Sequence, residues 1–440
     1  MNFRKLTHCF LAGAIVGCAA NPEGDEPNPF LTELDEEGKF DTAYYNPDGI
    51  EVEVDLEAEI EGASSWQLAD GPAIAGQFAL TYLRKKGGVF LESLAEDSTQ
   101  EDRAEWLVGE RWLPTSQART APGATLKRFR LRGINAVLLH SAARGVTVGK
   151  VITAKVPKKP LSIYADAGKK CADDDDHITL GQDVYWYRWE PSRSSCPAAL
   201  QQEMKVTVSK LFARGKTIYP EYDRLFADKK LTVVVLFGQI DDGPITENET
   251  GIRSLKQMSR NLTRAGFSEV AAPLGKRFSK LIRDITVEMD LYSPRDFSGL
   301  GDYAHFDNFR RAISEHEIIV FDGHSMLGAS DFWSRQTYPD NYQIFMYGGC
   351  LGYEYYVRPI VQGKHGWKNV DILSSVVEVS VTANDFAAPM LSKIFQGISK
   401  KRWPSWQSLV SAVRAGVGDS TFGVSGVRDN CYAPSGSRCP

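Results

Sequence analysis

The chain has 440 residues, with 51 Lys and Arg against 56 Asp and Glu, a formal net charge of −5. An acidic balance without a basic stripe excludes the electrostatic footprint that nucleic-acid binding needs. Hydrophobic residues make up 42%, and the stretch after the amino-terminal leader and its acidic continuation is long enough for two domains at roughly 100–200 residues each.

The first eighteen residues read as a secretory leader. Arg4 and Lys5 precede a short apolar core, Cys9 to Val16, far below the roughly 20 residues of a membrane span. Small residues then lead to Cys18, and Ile15-Val16-Gly17-Cys18 resembles the lipobox of bacterial lipoproteins. That resemblance implies cleavage before Cys18, a lipid on its thiol and an anchor in the bacterial cell envelope. Ala19, where Asp would favour retention, points to the outer membrane. Residues 19–49 are rich in acid and Pro, cannot bury a core, and read as a solvated tether.

From 50 to 212 short runs follow one another between Gly and Pro clusters. EVEVDLEAEI alternates acid with apolar residues, and IAGQFALTYL, TLKRFRLRGINAVLL, GVTVGKVITAKV, DVYWYRW and MKVTVSKLF come after it. This pattern predicts an all-β, sandwich-like domain. The aromatics of Asp183–Trp189 are assigned to its core. The four Asp of 173–176 read as a solvated loop, because the Gly of a calcium loop is missing. Residues 213–230 form a linker.

Beyond it the texture changes. KKLTVVVLFGQ is a continuous apolar run, the mark of a strand buried on both faces. Further strands are expected at TVEMDLYSP, IIVFDGH and YQIFMYGGC, and within NVDILSSVVEVSVTAND. Helices are expected at IRSLKQMSRNLTRAGF, AHFDNFRRAISEH, AAPMLSKIFQGI and PSWQSLVSAVRAG. Buried strands alternating with helices predict an α/β domain with a mostly parallel sheet over 231–425. Residues 426–440 form a tail.

Seven cysteines are present. Cys9 leaves with the leader and Cys18 takes the lipid. In an oxidising compartment the natural pairs are Cys171 with Cys196 and Cys431 with Cys439. Cys350 is left over. It ends an apolar strand after Gly348-Gly349, just as His324 follows a strand and Gly323. In open parallel sheets ligands gather at the carboxyl ends of the strands. The 25 residues between His324 and Cys350 can hold the crossover between two neighbouring strands. A Cys and a His in reach of each other make a nucleophile and its acid/base partner. Neither has a CxxC or HxxxH companion for zinc, and no metal or cofactor is expected.

An apolar strand ending in Gly-His, then one ending in Gly-Cys, resembles the caspase–gingipain–legumain superfamily of cysteine peptidases, most closely its gingipain branch. The resemblance covers roughly 228–425. It implies a caspase-like α/β sandwich, Cys350 as nucleophile and His324 as acid/base, with a protein or peptide as substrate. Gly323 and Gly349 would shape the site. Ser325 stands where the superfamily has Gly, whose N–H commonly serves the oxyanion. Glu288 or Asp290, at the end of TVEMD, is in the right order for the acid that orients the His. The alternative is a catalytically inactive caspase-like surface lipoprotein that binds or adheres.

Overall fold

A computed structural model describes residues 44–436, apart from 62–64, 95–99, 122–125, 163–169, 174–185, 213–216, 327–328, 330 and 428–429. The expected leader, the Cys18 expected to carry lipid and most of the tether lie outside the described residues. The tether's last residues do not: β1 (Tyr44–Tyr45) pairs with the final strand of the second sheet. The phenol of Tyr44 donates to the carbonyls of Ser374 and Thr421.

The first unit holds a seven-stranded antiparallel sheet. Its strands are β2 (Gly49–Glu59), β3 (Val89–Leu91), β4 (Ala104–Val108), β5 (Arg111–Pro114), β6 (Arg128–Leu139), β7 (Val151–Pro157) and β8 (Gln201–Leu211). They run in the order β5-β4-β6-β2-β8-β7, with β3 on β6. The alternation of β2 sets the faces: Val52, Val54, Leu56 and Ala58 point into the core and the intervening acids do not.

What covers that core is not a second sheet. It is α1 (Ser65–Lys86), a 22-residue helix. The run IAGQFALTYL, expected as a strand, is the middle of it. Short apolar runs are ambiguous in period, and here the buried residues Leu68, Ala75, Ala79 and Leu83 fall at helical spacing. Gly76 lets the helix lie close, since a Cβ there would be 2.3 Å from Leu94 and 3.5 Å from Leu56. The expected all-β sandwich is thus corrected to a helix on a sheet. DVYWYRW is not a strand where it is described. Trp186–Arg188 form a helical turn and Trp189 a single bridge to Ala172. Trp186 and Trp189 are buried, as core aromatics.

The second unit carries β9 (Lys230–Phe237), β10 (Ser268–Val270), β11 (Lys276–Ile282), β12 (Ile285–Tyr292), β13 (Ile318–Asp322), β14 (Gln343–Tyr347), β15 (Val370–Ser375) and β16 (Phe422–Ser425). The sheet order is β1-β16-β15-β14-β13-β9-β12-β11-β10. The five strands from β15 to β12 are parallel and the outer ones antiparallel. Counted along the chain, the parallel strands stand in the order 2-1-3-4-5, a doubly wound sheet that reverses direction between β9 and β13.

Helices α2 (Thr250–Arg264), α4 (Ala383–Lys400) and α5 (Trp406–Val417) cover the face that buries Leu231, Val233, Val235 and Phe237. Helix α3 (Phe306–Glu315) and Trp333 cover the face of Val234, Leu236 and Phe321. Among the described residues no helix is long and apolar enough to cross a membrane.

The expected linker is largely built in. Ile218, Tyr219, Tyr222 and Leu225 are buried in the core of the second unit. They meet the tail at Asp371 of β15, which is fully buried. Its Oδ2 accepts from Tyr342, Trp406 and Asn430 at 2.6, 2.9 and 2.5 Å. Burial outweighs these donors and pushes its pKa up to about 7. Cys171 and Cys196 are joined. Cys431 is disulfide-bonded, and Cys439 lies outside the described residues.

The folded protein therefore holds a proton on Asp371 between the ordinary carboxylate range and about pH 7, where the unfolded chain has lost it. Stability falls as pH rises through that window. Urea midpoints at pH 5 and pH 8 should differ less in Asp371→Asn than in wild type. Asp371→Ala, which strands three buried donors at about 1–3 kcal/mol each, should have the lowest midpoint at both pH values. Equal pH dependence in wild type and Asp371→Asn would contradict this account.

Candidate active site

The carboxyl ends of β9, β13 and β14 all finish in glycine, and their backbones touch. The N–H of Gly238 donates to Asp322 at 2.6 Å, and that of Gly348 to Phe321 at 2.8 Å. A Cβ on Gly238 would stand 3.1 Å from the Cα of Gly323, and one on Gly348 would enter the ring of Phe386 at 2.2 Å. Glycine is required here because each tip approaches its neighbour more closely than a side chain allows.

Ser325 knits two of these tips together. Its Oγ donates to the carbonyl of Cys350 at 2.6 Å and lies 2.7 Å from the hydroxyl of Tyr347. The side chain is thus directed at the tip of β14. A Cβ on Gly349 would be 2.6 Å from that Oγ and 3.0 Å from the carbonyl of Gly323. Ser325 thus leaves no room for a side chain at 349, and the ring of Tyr347 at 2.8 Å narrows the place further. The sequence alone carried no signal for this pairing, because it depends on the strands being neighbours.

His324 and Cys350 follow neighbouring parallel strands, as the topology requires. Their side chains lean in opposite directions. His324 is exposed and its Nε2 donates to the carbonyl of Ile240 at 2.9 Å, across the point where the sheet reverses. Cys350 leans toward the loop after β15. Its thiol faces the carbonyl of Val379, and the N–H of Val379 faces Sγ, both at 3.5 Å. No hydrogen bond joins the imidazole to the thiol among the described residues. Burial pushes the Cys350 thiol above its ordinary pKa, the N–H of Val379 opposes the rise, and Glu378 adds to it. Among the described residues the backbone N–H of Ser325 donates to no neighbour, and that of Cys350 is directed at its own thiol.

Glu288 and Asp290 do not reach His324. Asp290 is level with Val234 and hence with Ile319. At about 3.3 Å per residue that is roughly 15 Å short of His324. Asp290 is engaged bidentately by Arg277 at 2.6 and 2.7 Å and lies 3.3 Å from Nε2 of His316. Burial acts to raise its pKa, and the Arg277 and His316 bonds overcome it, so the carboxyl titrates below its ordinary value. Glu288 pairs with Lys230 at 2.9 Å and Arg277 at 3.4 Å. The order along the chain suits an orienting acid, but the register sets both acids in mid-strand.

Two other acids stand closer. Asp322 is buried, accepts from the N–H of Ala383 at 2.8 Å, and is pushed by burial to about 7. Glu249 caps α2 and accepts from Ile252, Ile240 and Asp241. Neither bonds His324. Among the described residues no group of three or more His, Cys, Asp or Glu could hold a metal.

No protein-family model matches the chain, and no curated protein or solved structure matches it either.

Replacing Ser325 with Gly should lower the urea midpoint, since two hydrogen bonds at about 1 kcal/mol each are lost. Gly349→Ala alone should cost about 1–3 kcal/mol by overpacking. The double variant should be less destabilised than the sum of the two, because the nearest clash has gone. Strict additivity would show that the two residues do not interact.

Proposed function

We propose that the protein is a lipid-anchored cysteine peptidase of the bacterial envelope, related to the caspase–gingipain–legumain superfamily and held in a resting arrangement. The observation that carries this reading is that His324 and Cys350 follow the carboxyl ends of two adjacent parallel strands, beside the N–H of Ser325, which is unspent among the described residues. That donor suits the oxyanion of a tetrahedral intermediate.

In the working arrangement His324 leaves the Ile240 carbonyl and takes the proton of Cys350. The sulfur bonds to the peptide carbonyl carbon. The C–N bond breaks as His324 returns the proton to the leaving amine, and water then hydrolyses the thioester and restores the thiol. The substrate is a protein or peptide, and the lipid is the contact with the membrane.

The second reading is a binding or adhesion lipoprotein that keeps the scaffold without the chemistry. The outward turn of His324 toward Ile240 and the raised pKa of Cys350 favour it.

A peptidyl acyloxymethyl ketone mixture separates the two. Such probes react at a thiol assembled for peptide attack, and intact mass identifies the modified residue. The peptidase reading expects adduct on Cys350, slowed at least tenfold in His324→Ala. Iodoacetamide should label Cys350 slowly below the ordinary thiol pKa of ~8.5 in both proteins. Adduct formation no faster than with iodoacetamide, and indifferent to His324, would hand the protein to the binding reading.

A further inference from the structure

The first unit carries a concave site of its own, on the face of its sheet turned away from α1. Two β-bulges flank β2 within three residues. On the β8 side Glu53 stands opposite Lys210 and Val54 opposite Val208, so Ser209 is the extra residue. On the β6 side Val54 stands opposite Ile134 and Leu56 opposite Leu131, so Asp55 alone faces both Arg132 and Gly133. Gly133 takes the left-handed conformation that such a bulge needs, at φ +61°, and its N–H donates to Oδ1 of Asp55 at 3.0 Å. A bulge bends its strand and re-aims side chains, and bulges concentrate beside functional sites. Here two of them dent one sheet. The dent is an open cleft of about 700 Å³, enough for a small molecule.

The lining selects the kind of molecule. Among the described residues every lining side chain except those of Pro114 and Gly133 is polar or charged, so an apolar body has nothing to pack against. The cations of the cleft are already engaged. Lys210 reaches Glu53 at 3.4 Å and Arg132 reaches Glu105 at 3.3 Å. Arg103 is turned to Glu92 at 2.9 Å and donates to the carbonyls of Arg132 and Gly133, which fixes the second bulge.

Acceptors are what remain. Among the described residues neither Oδ2 of Asp55 nor the carboxylate of exposed Asp102 has a donor. The Oγ of Ser209, the bulged residue, is buried and bonded to nothing. Buried polar groups are normally satisfied, and an exception asks for an explanation. Surplus negative charge and idle acceptors in a polar hollow call for a ligand that donates and is positive. The set of three or more His, Cys, Asp or Glu that a metal ion would need is not there among the described residues. A primary ammonium has three donors and no acceptor, and it meets this demand.

We propose that the cleft at the double bulge of the first sheet binds a primary ammonium carried on a small polar molecule, with Asp55 and Asp102 taking the charge and Ser209 accepting a hydrogen bond. The polar lining favours an amino sugar over a polyamine as the source of that group. The site lies wholly in the first unit and does not rest on the peptidase reading.

Saturation-transfer NMR titrations of the full chain at pH 6 would compare glucosamine, glucose and putrescine. Glucosamine should bind saturably and at least tenfold more tightly than glucose, which has the ring and hydroxyls without the charge. Tighter binding of putrescine than of glucosamine would keep the ammonium site and make a polyamine its source. Asp102→Asn changes an exposed carboxylate, and Ser209→Ala removes a hydroxyl that bonds nothing in the protein, so both should fold as wild type does. Each should weaken the tighter-binding amine at least fivefold. Asp307→Asn, on α3 of the second unit, should leave it unchanged. Three results would each overturn the proposal: no saturable binding of either amine, glucose binding as tightly as glucosamine while putrescine fails, or an affinity no weaker in the cleft variants than in Asp307→Asn.

Discussion

The contact on which the rest of the second unit depends is backbone against backbone at the carboxyl edge of its sheet. Gly238, Gly323, Gly348 and Gly349 bring three strand ends within van der Waals distance, with no side chain between them. A parallel sheet delivers its strand ends to one edge by geometry. The glycines convert that shared edge into a single surface. Ser325 then fixes the spacing by bonding across it. The thiol, the imidazole and the buried carboxyl of Asp322 all hang from this edge.

The same edge explains why two residues on neighbouring strands fail to meet. Each tip has a second neighbour. His324 is drawn toward the loop after β9 and Cys350 toward the loop after β15. The imidazole gains a carbonyl acceptor and the thiol a pair of backbone partners. Adjacent strands supply proximity, but the direction of a side chain is decided by which flank offers the better bond.

Much of the second unit was legible in the sequence because its strands are buried on both faces. Continuous runs such as Leu231–Phe237 have few other uses, and α2 announces itself by Ile252, Leu255, Met258 and Leu262 at helical spacing. The hairpin of β10 and β11 was not legible, because Lys276–Ile282 mixes charge and apolar residues at an exposed edge. In the first unit, Ile74–Leu83 matches strand and helix periods over ten residues, and only the length of α1 decides between them. For the candidate site, the residue types and their strand-end positions were visible. Direction and register were not. Nothing local tells that Asp290 is three rows below the edge or that its carboxylate is committed to Arg277. The cleft on the first sheet gave no sequence signal either, since Asp55, Asp102 and Ser209 come together only through the bulged register of β2.

The two-residue strand β1 has a mechanical consequence. Tyr44 and Tyr45 pair with the edge of the second unit's sheet, and only three residues later the chain enters the first unit's sheet as β2. A pull on the chain before residue 44 is therefore borne first by β1 and β16, in shear, and by the Tyr44 phenol that grips two carbonyls. The first unit is looped out of the load path, because its other end returns through Ile218 and Tyr219 into the same core. Tension along the chain would load the sheet that carries Cys350 while the first unit stays docked on it, through Phe90, Val137 and Leu139 buried in one cluster with Tyr44 and Tyr353.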